Sequence, residues 1–171
     1  HAASIRSSYG AYTATIWHLL QADEILPALL IWQEHKTEEI RQGQAEAALK
    51  LLHSLLAQQL PPDWADMLRM ECSALSYHVG NIGDAMEELR PLIGKTSHFA
   101  AEASELAGRI QNDLSQFDAA EESLRQTIRL THSLAEIRAA RAYKGIAWNY
   151  ARQRQIPQAV RELDFAHYEI E

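Results

Sequence analysis

Apolar residues recur at intervals of three and four along nearly the whole 171-residue chain. No segment shows the strict apolar–polar alternation of a half-buried strand, so the pattern predicts an all-α protein of about nine helices. The predicted helices cover residues 3–21, 27–41, 44–58, 64–79, 83–93, 98–114, 117–131, 134–153 and 156–170. Gly, Pro and polar residues occupy the intervening breaks, as expected for turns.

Four helix starts share one pattern, in segments 43–52, 80–89, 115–124 and 154–163. Each segment places an alanine at its sixth position, a leucine four residues later and a further side chain on the same face three residues earlier. The alanines are Ala48, Ala85, Ala120 and Ala159, the leucines are Leu52, Leu89, Leu124 and Leu163, and the earlier residues are Ala45, Ile82, Phe117 and Ile156. Because small residues let helices approach closely, this spacing predicts stacked helix pairs with buried alanines.

These segments resemble the tetratricopeptide repeat (TPR) family, whose pattern is W-x2-L-G-x2-Y…A-x3-F…P. The last repeat matches best, through Tyr143, Ile146, Ala147, Tyr150, Ala159 and Leu163, and the third keeps Gly108 at the glycine position. The resemblance covers about residues 28–171. It implies a right-handed α-solenoid of stacked antiparallel helix pairs with about four repeats, and a role in protein interaction rather than catalysis.

The domain organisation expected from this pattern is an N-terminal helix or capping segment over residues 1–27 followed by the repeats over 28–171. The sequence lacks an initial Met and stops within a helical pattern at "HYEIE". We therefore expect a piece of a longer protein.

The net charge of −7 and the isoelectric point near 5.6 argue against general binding to nucleic acids or anionic membranes. The longest apolar run, residues 25–32, is far shorter than the ~20 residues that a membrane span needs. The single cysteine, Cys72, cannot form an internal disulfide, which favours a cytoplasmic location. We therefore predict a protein or peptide partner and no membrane, and the negative net charge disfavours nucleic acid as a partner.

The triplet Gly94-Lys95-Thr96 resembles the end of a phosphate-binding loop. That loop needs a glycine five residues before Gly94, where this chain has Leu89, and it needs a preceding strand rather than a helix. We interpret Gly94 as a left-handed helix cap, and Thr96 or Ser97 as the cap of the next helix. The eight histidines form no compact ligand set. We predict no enzyme, no cofactor and no metal.

Residues 137–161 contain six Lys or Arg and no Asp or Glu. Arg141, Lys144, Trp148 and Arg152, called here the cationic stripe, share one helix face. In TPR repeats the first helix of each pair lines the concave groove. The preceding repeat would add Arg109 and Asn112, together with Glu102 and Glu105.

The cationic stripe predicts binding of an acidic or carboxylate-ended peptide with an apolar anchor. Two simpler interpretations remain: a solvated basic face, or a face paired with an acidic neighbouring repeat. A different function also remains open, that of a ligand- or nucleic-acid-sensing regulatory segment in a larger bacterial-type switch or transcription regulator.

Overall fold

The computed structural model describes residues 12–58, 60–95, 99–131 and 136–169. Over these residues the chain forms nine helices and no strand. The helices are α1 (Tyr12–Gln21), α2 (Ile25–Arg41), α3 (Ala45–Leu56), α4 (Pro62–His78), α5 (Ile82–Leu89), α6 (Ala100–Asp113), α7 (Phe117–Leu130), α8 (Glu136–Arg152) and α9 (Ile156–Tyr168). The predicted all-α class is confirmed, and the largest difference from the predicted bounds is α5, which ends at Leu89 rather than at residue 93.

The chain divides into two compact units, residues 1–81 and residues 82–171. The first unit contains α1–α4, and the second contains α5–α9. Helix α1 packs on α2 within the first unit. The separation of residues 1–27 from residues 28–171 stays a prediction, and residues 1–11 lie outside the described part of the chain.

The first unit is built around a core of large apolar side chains from all four of its helices. Its fully buried members include Ile16, Leu29, Trp32, Leu52, Leu55, Leu68 and Leu75. Helices α2 and α4 are also joined through Glu71, which accepts hydrogen bonds from Gln33 Nε2 at 3.3 Å and from Lys36 Nζ at 2.5 Å. Both apolar packing and polar contacts therefore hold this unit together.

The predicted burial of the repeat alanines is confirmed. Ala48, Ala85, Ala120 and Ala159 are 1%, 0%, 0% and 6% exposed, respectively. In the second unit, α6 packs on α7, α7 packs on α8, and α8 packs on α9. The alanine that recurs in each segment is therefore a small residue buried at a site of close helix packing.

Leu124 of α7 shows how tightly these seams close. It is 1% exposed. A Cβ atom built on Gly108 of α6 would lie 2.6 Å from Leu124 Cγ, and one built on Gly145 of α8 would lie 2.9 Å from Leu124 Cδ1. Glycines on two different helices therefore make the space that Leu124 occupies.

The turn before each repeat alanine has a left-handed residue at the same position. Five residues before each alanine, Gly43, Gly80, Ser115 and Arg154 have φ values of 79°, 86°, 60° and 62°. Asp23, with φ 60°, stands five residues before the fully buried Ala28, and Trp32 follows one turn later. Ala28 lies only 20 residues before Ala48, outside the regular period, so the repeat spacing does not reveal this further instance.

The fourth repeat departs from the predicted seam packing. Leu163 and Ile156 of α9 are 49% and 56% exposed, so the expectation that they fill a seam is wrong. Among the described helices α9 packs only on α8, and this face of α9 therefore has no neighbouring helix to cover it. None of the described helices is long and apolar enough to cross a membrane.

Candidate interaction site on helix α8

Helix α8 separates a buried face from the cationic stripe. Its buried residues are Ala139, Ala140, Ala142, Ile146, Ala147 and Asn149. Alanine predominates because α8 packs closely against α7 and α9. Asn149 fixes the helix further, since its Nδ2 donates a hydrogen bond of 2.6 Å to the carbonyl of Phe117 on α7.

The exposed centre of the stripe consists of Trp148 and Lys144. The Trp148 side chain is 62% exposed, and Lys144, one turn earlier, is also exposed. Lys144 forms no ion pair with any residue that the structure describes. An exposed indole beside a free ammonium group can accept an apolar anchor and a carboxylate at the same time.

Arg141 is exposed but is partly neutralised. Its Nη1 lies 3.6 Å from Glu105 Oε1 of α6, and the Glu105 side chain is only 10% exposed. Arg138 Nε lies 3.8 Å from the other oxygen of the same carboxylate. Because Glu105 needs these cations to offset its burial, Arg141 helps hold α6 against α8 as well as facing solvent.

Arg152 has a structural contact at the other end of the stripe. Its guanidinium donates to the carbonyl of Asn112 at 2.5 Å and to Ser115 Oγ at 3.0 Å. The guanidinium carbon lies 5.2 Å from the centroid of the Phe117 ring. The same Asn112 carbonyl accepts a hydrogen bond from the backbone N–H of Ser115 at 3.0 Å, so Arg152 adds a second, charged donor in the last turn of α6, where a cation is favourable.

The two residues predicted from α6 have different environments. Arg109 is exposed, whereas Asn112 is only 5% exposed and its Nδ2 donates to the carbonyl of Gly145 at 3.2 Å. Asn112 thus joins α6 to α8 instead of presenting its amide to a ligand. The structure brings Asn112 to Arg152, and it brings Glu105 to Arg141.

A hydrogen-bonded network behind the stripe fixes α8 against α7 and α9. Arg125 of α7 donates to Glu121 at 2.8 Å and to Glu162 of α9 at 3.2 Å, and the Tyr150 hydroxyl donates to Glu121 at 2.9 Å. Burial opposes the charge of Arg125, but the hydrogen bonds to the two carboxylates raise its pKa. Burial and the bond to Glu121 raise the pKa of Tyr150.

Neither this network nor the anchoring of Arg152 was predicted from the sequence. Apart from Glu121 and Arg125, which are four positions apart, these contacts join residues 29 to 40 positions apart. Helical spacing reports only on neighbours three or four positions away. The repeat period is the sequence feature that could have predicted these contacts, because stacking brings equivalent positions of successive repeats close together.

The Gly94 turn has the predicted backbone conformation. Gly94 has φ 83°, and Leu89 is fully buried. Thr96 and Ser97, the predicted caps of the following helix, lie outside the described residues. In the described part of the chain, no group of three or more His, Cys, Asp or Glu side chains is arranged to hold a metal ion.

Comparison with known proteins identifies a shared fold. No protein-family model and no curated protein matches the chain. Two solved crystal structures of MamA do, each with a TM-score of 0.72 and 15% sequence identity. The matches cover 99% and 98% of this chain, and 94% and 87% of the MamA chains.

MamA is a TPR-like helical protein, so this likeness confirms the predicted fold class, a TPR-like helical solenoid of stacked helix pairs. At 15% identity the likeness shows the fold alone. Membership of the TPR family itself stays a prediction that rests on the residues quoted above.

Proposed function

We propose that this chain is a protein-interaction module whose second unit binds an acidic segment with an apolar anchor at Trp148 and Lys144. The observation that carries this proposal is the 62% exposure of Trp148 on a helix face that also presents Lys144 and Arg141. Arginine and tryptophan are enriched among the residues that dominate binding energy at interfaces.

Within the stripe, two residues are candidates for direct contact with the peptide, and the two at its ends already have contacts within the chain. Trp148 is exposed, and Lys144 is exposed without an ion-pair partner among the described residues. In contrast, Arg141 contacts Glu105, and Arg152 donates to a carbonyl at the end of α6. Replacing Arg141 or Arg152 with Glu would therefore disturb packing as well as binding. Lys144 and Trp148 are the positions at which binding can be tested without that complication.

The test uses the full chain and a short fluorescein-labelled peptide rich in glutamate with one central leucine. Trp148→Ala should weaken binding about 30-fold, corresponding to ~2 kcal/mol, because central aromatic residues dominate interfaces. Lys144→Glu should mainly slow association and reduce its salt dependence. Fluorescence anisotropy measures affinity, and stopped-flow mixing measures the association rate.

Two controls make this experiment decisive. A peptide with glutamine at each glutamate position should bind weakly to the unaltered chain, and Lys50→Glu in the first unit should leave binding of the acidic peptide unchanged. Absence of binding to the acidic peptide, or equal binding by the Trp148→Ala variant, would contradict the proposal. Tighter binding to DNA or RNA than to the peptide in the same assay would instead support the regulatory alternative.

A further inference from the structure

A second exposed tryptophan borders a cavity that lies entirely within the first unit. The cavity has a volume of about 580 Å³ and lies between α1, the end of α2 and α3. Its lining residues are Thr13, Ala14, Trp17, Glu39, Gln42, Gln44, Ala47, Lys50, Leu51 and Ser54. Known small-molecule sites have volumes of roughly 300–1,000 Å³, so the size suits an organic ligand.

Most of the surface area that lines this cavity is apolar, although six of its ten lining residues are polar. Trp17 on α1 is 47% exposed, although its neighbour Ile16 is 2% exposed in the core. Ala47 and Leu51, one turn apart on α3, are half-buried and line the cavity across from α1. An indole ring and aliphatic side chains therefore face a space that a flat or extended apolar group can fill.

The acidic group in the cavity is already fully engaged. Glu39 is 1% exposed, and its Oε1 accepts a hydrogen bond from the backbone N–H of Tyr12 at 3.2 Å. Its Oε2 accepts from the backbone N–H of Thr13 at 2.9 Å and also from the Thr13 hydroxyl. The carboxylate thus satisfies the N-terminal N–H groups of α1, a favourable position for a negative charge.

Lys50 is the remaining charged residue of the lining, and it is available. Its side chain is exposed, and no acidic side chain among the described residues forms an ion pair with it. Glu46, one turn earlier on α3, is outside the lining set. An apolar cavity with one free ammonium group at its edge is complementary to an apolar molecule that carries one negative charge.

We propose that this cavity binds a small organic carboxylate whose ring or aliphatic chain packs on Trp17 and whose carboxylate pairs with Lys50. This site is independent of the proposed peptide site, because all of its residues belong to the first unit. Trp17 supplies the apolar contact, and Lys50 favours a negatively charged ligand over a neutral one. The small side chain of Ala47 leaves room for the ligand.

The experiment compares two matched probes, 2-naphthoate and its neutral amide 2-naphthamide, by isothermal titration calorimetry with the full chain. The chain should prefer the carboxylate. Lys50→Met should weaken naphthoate binding about tenfold and leave naphthamide binding unchanged, since only the charge-assisted contact is lost. Trp17→Ala should weaken both probes about tenfold or more, because the stacking surface is lost.

Further variants separate a local site from unspecific binding. Ala47→Leu should weaken binding of both probes by narrowing the cavity beside Leu51, and circular dichroism checks that each variant remains helical. Lys144→Met and Trp148→Ala in the second unit should bind both probes like the unaltered chain. No naphthoate binding, or binding that Lys50→Met and Ala47→Leu leave unchanged, would overturn the proposal. Binding of a peptide with a C-terminal tryptophan but not of naphthoate would also overturn it, in favour of a peptide end.

Discussion

Helices α7 and α9 carry the same repeat pattern, yet their equivalent leucines have opposite environments. Leu124 of α7 is 1% exposed between glycines of α6 and α8, whereas Leu163 of α9 is 49% exposed. Helix α7 packs on a helix at each side, and among the described helices α9 packs only on α8. The repeat pattern therefore specifies which residue stands at a position, while the neighbouring helix decides whether that residue is buried.

The same distinction applies to the cationic stripe on α8. Lys144 and Arg152 lie on one helix face, but only Arg152 contacts the end of α6, where it donates to the carbonyl of Asn112. Lys144 has no ion-pair partner among the described residues. Two basic residues on one face therefore differ in role, because the adjacent repeat offers a contact to Arg152 and none to Lys144.

The largest expected effect tests the two leucines directly. Leu124→Ala should lower the free energy of unfolding by ~2–5 kcal/mol, because it removes a buried side chain and leaves a cavity. Leu163→Ala should change that free energy by less than ~1 kcal/mol, because about half of this side chain already contacts solvent. Urea denaturation followed by circular dichroism measures both values. Equal losses would show that the two faces are packed alike.

Two glycine substitutions test the same contrast between a packed and an open position, with smaller expected changes in stability. Gly108→Ala should destabilise the chain by ~1–3 kcal/mol, since the new Cβ would lie within 3 Å of Leu124. Gly83→Ala in α5 should stabilise it by ~0.5–1 kcal/mol, because a Cβ there meets nothing within 4 Å and alanine favours helix. Thermal melting of the two variants measures the difference. A Gly108→Ala variant as stable as the original would mean that Leu124 is loosely packed.

The smallest expected effect concerns the tyrosine that joins α8 to α7. Burial and the hydrogen bond to Glu121 raise the pKa of Tyr150, so the folded chain favours its neutral form. The stability from this preference is present below the ordinary tyrosine pKa of ~10 and is lost as pH rises through the higher folded pKa. Tyr150→Phe should cost ~0.5–1.5 kcal/mol at neutral pH and should weaken the decline in stability above pH ~10.

The control for this prediction is Tyr168→Phe on α9. Tyr168 is 75% exposed, so its substitution should leave stability at neutral pH within ~0.5 kcal/mol of the original. Urea denaturation across the alkaline range measures both variants. If Tyr150→Phe and the unaltered chain lose stability in parallel above pH ~10, the pKa of Tyr150 is not raised in the folded chain and this prediction is wrong.

Much of the fold could be predicted from local spacing, because helical periodicity and turn residues act over only a few positions. The nine helices of the described residues, the burial of Ala120 and the left-handed Gly94 all follow from such signals. Helical spacing also placed Trp148 on one face with Arg141 and Lys144, and all three are exposed. That the stripe is a binding site remains a prediction.

The sequence by itself determined which faces of the helices are apolar and where small residues allow close approach, since both depend on residue type and helical spacing. Only the tertiary structure decided which of those faces meet. It buried Asn112 against Gly145, paired Arg141 with Glu105 and left Leu163 exposed. The physical reason is that burial and charge pairing depend on atoms some 30 to 40 residues away, whose positions are set by how the repeats stack.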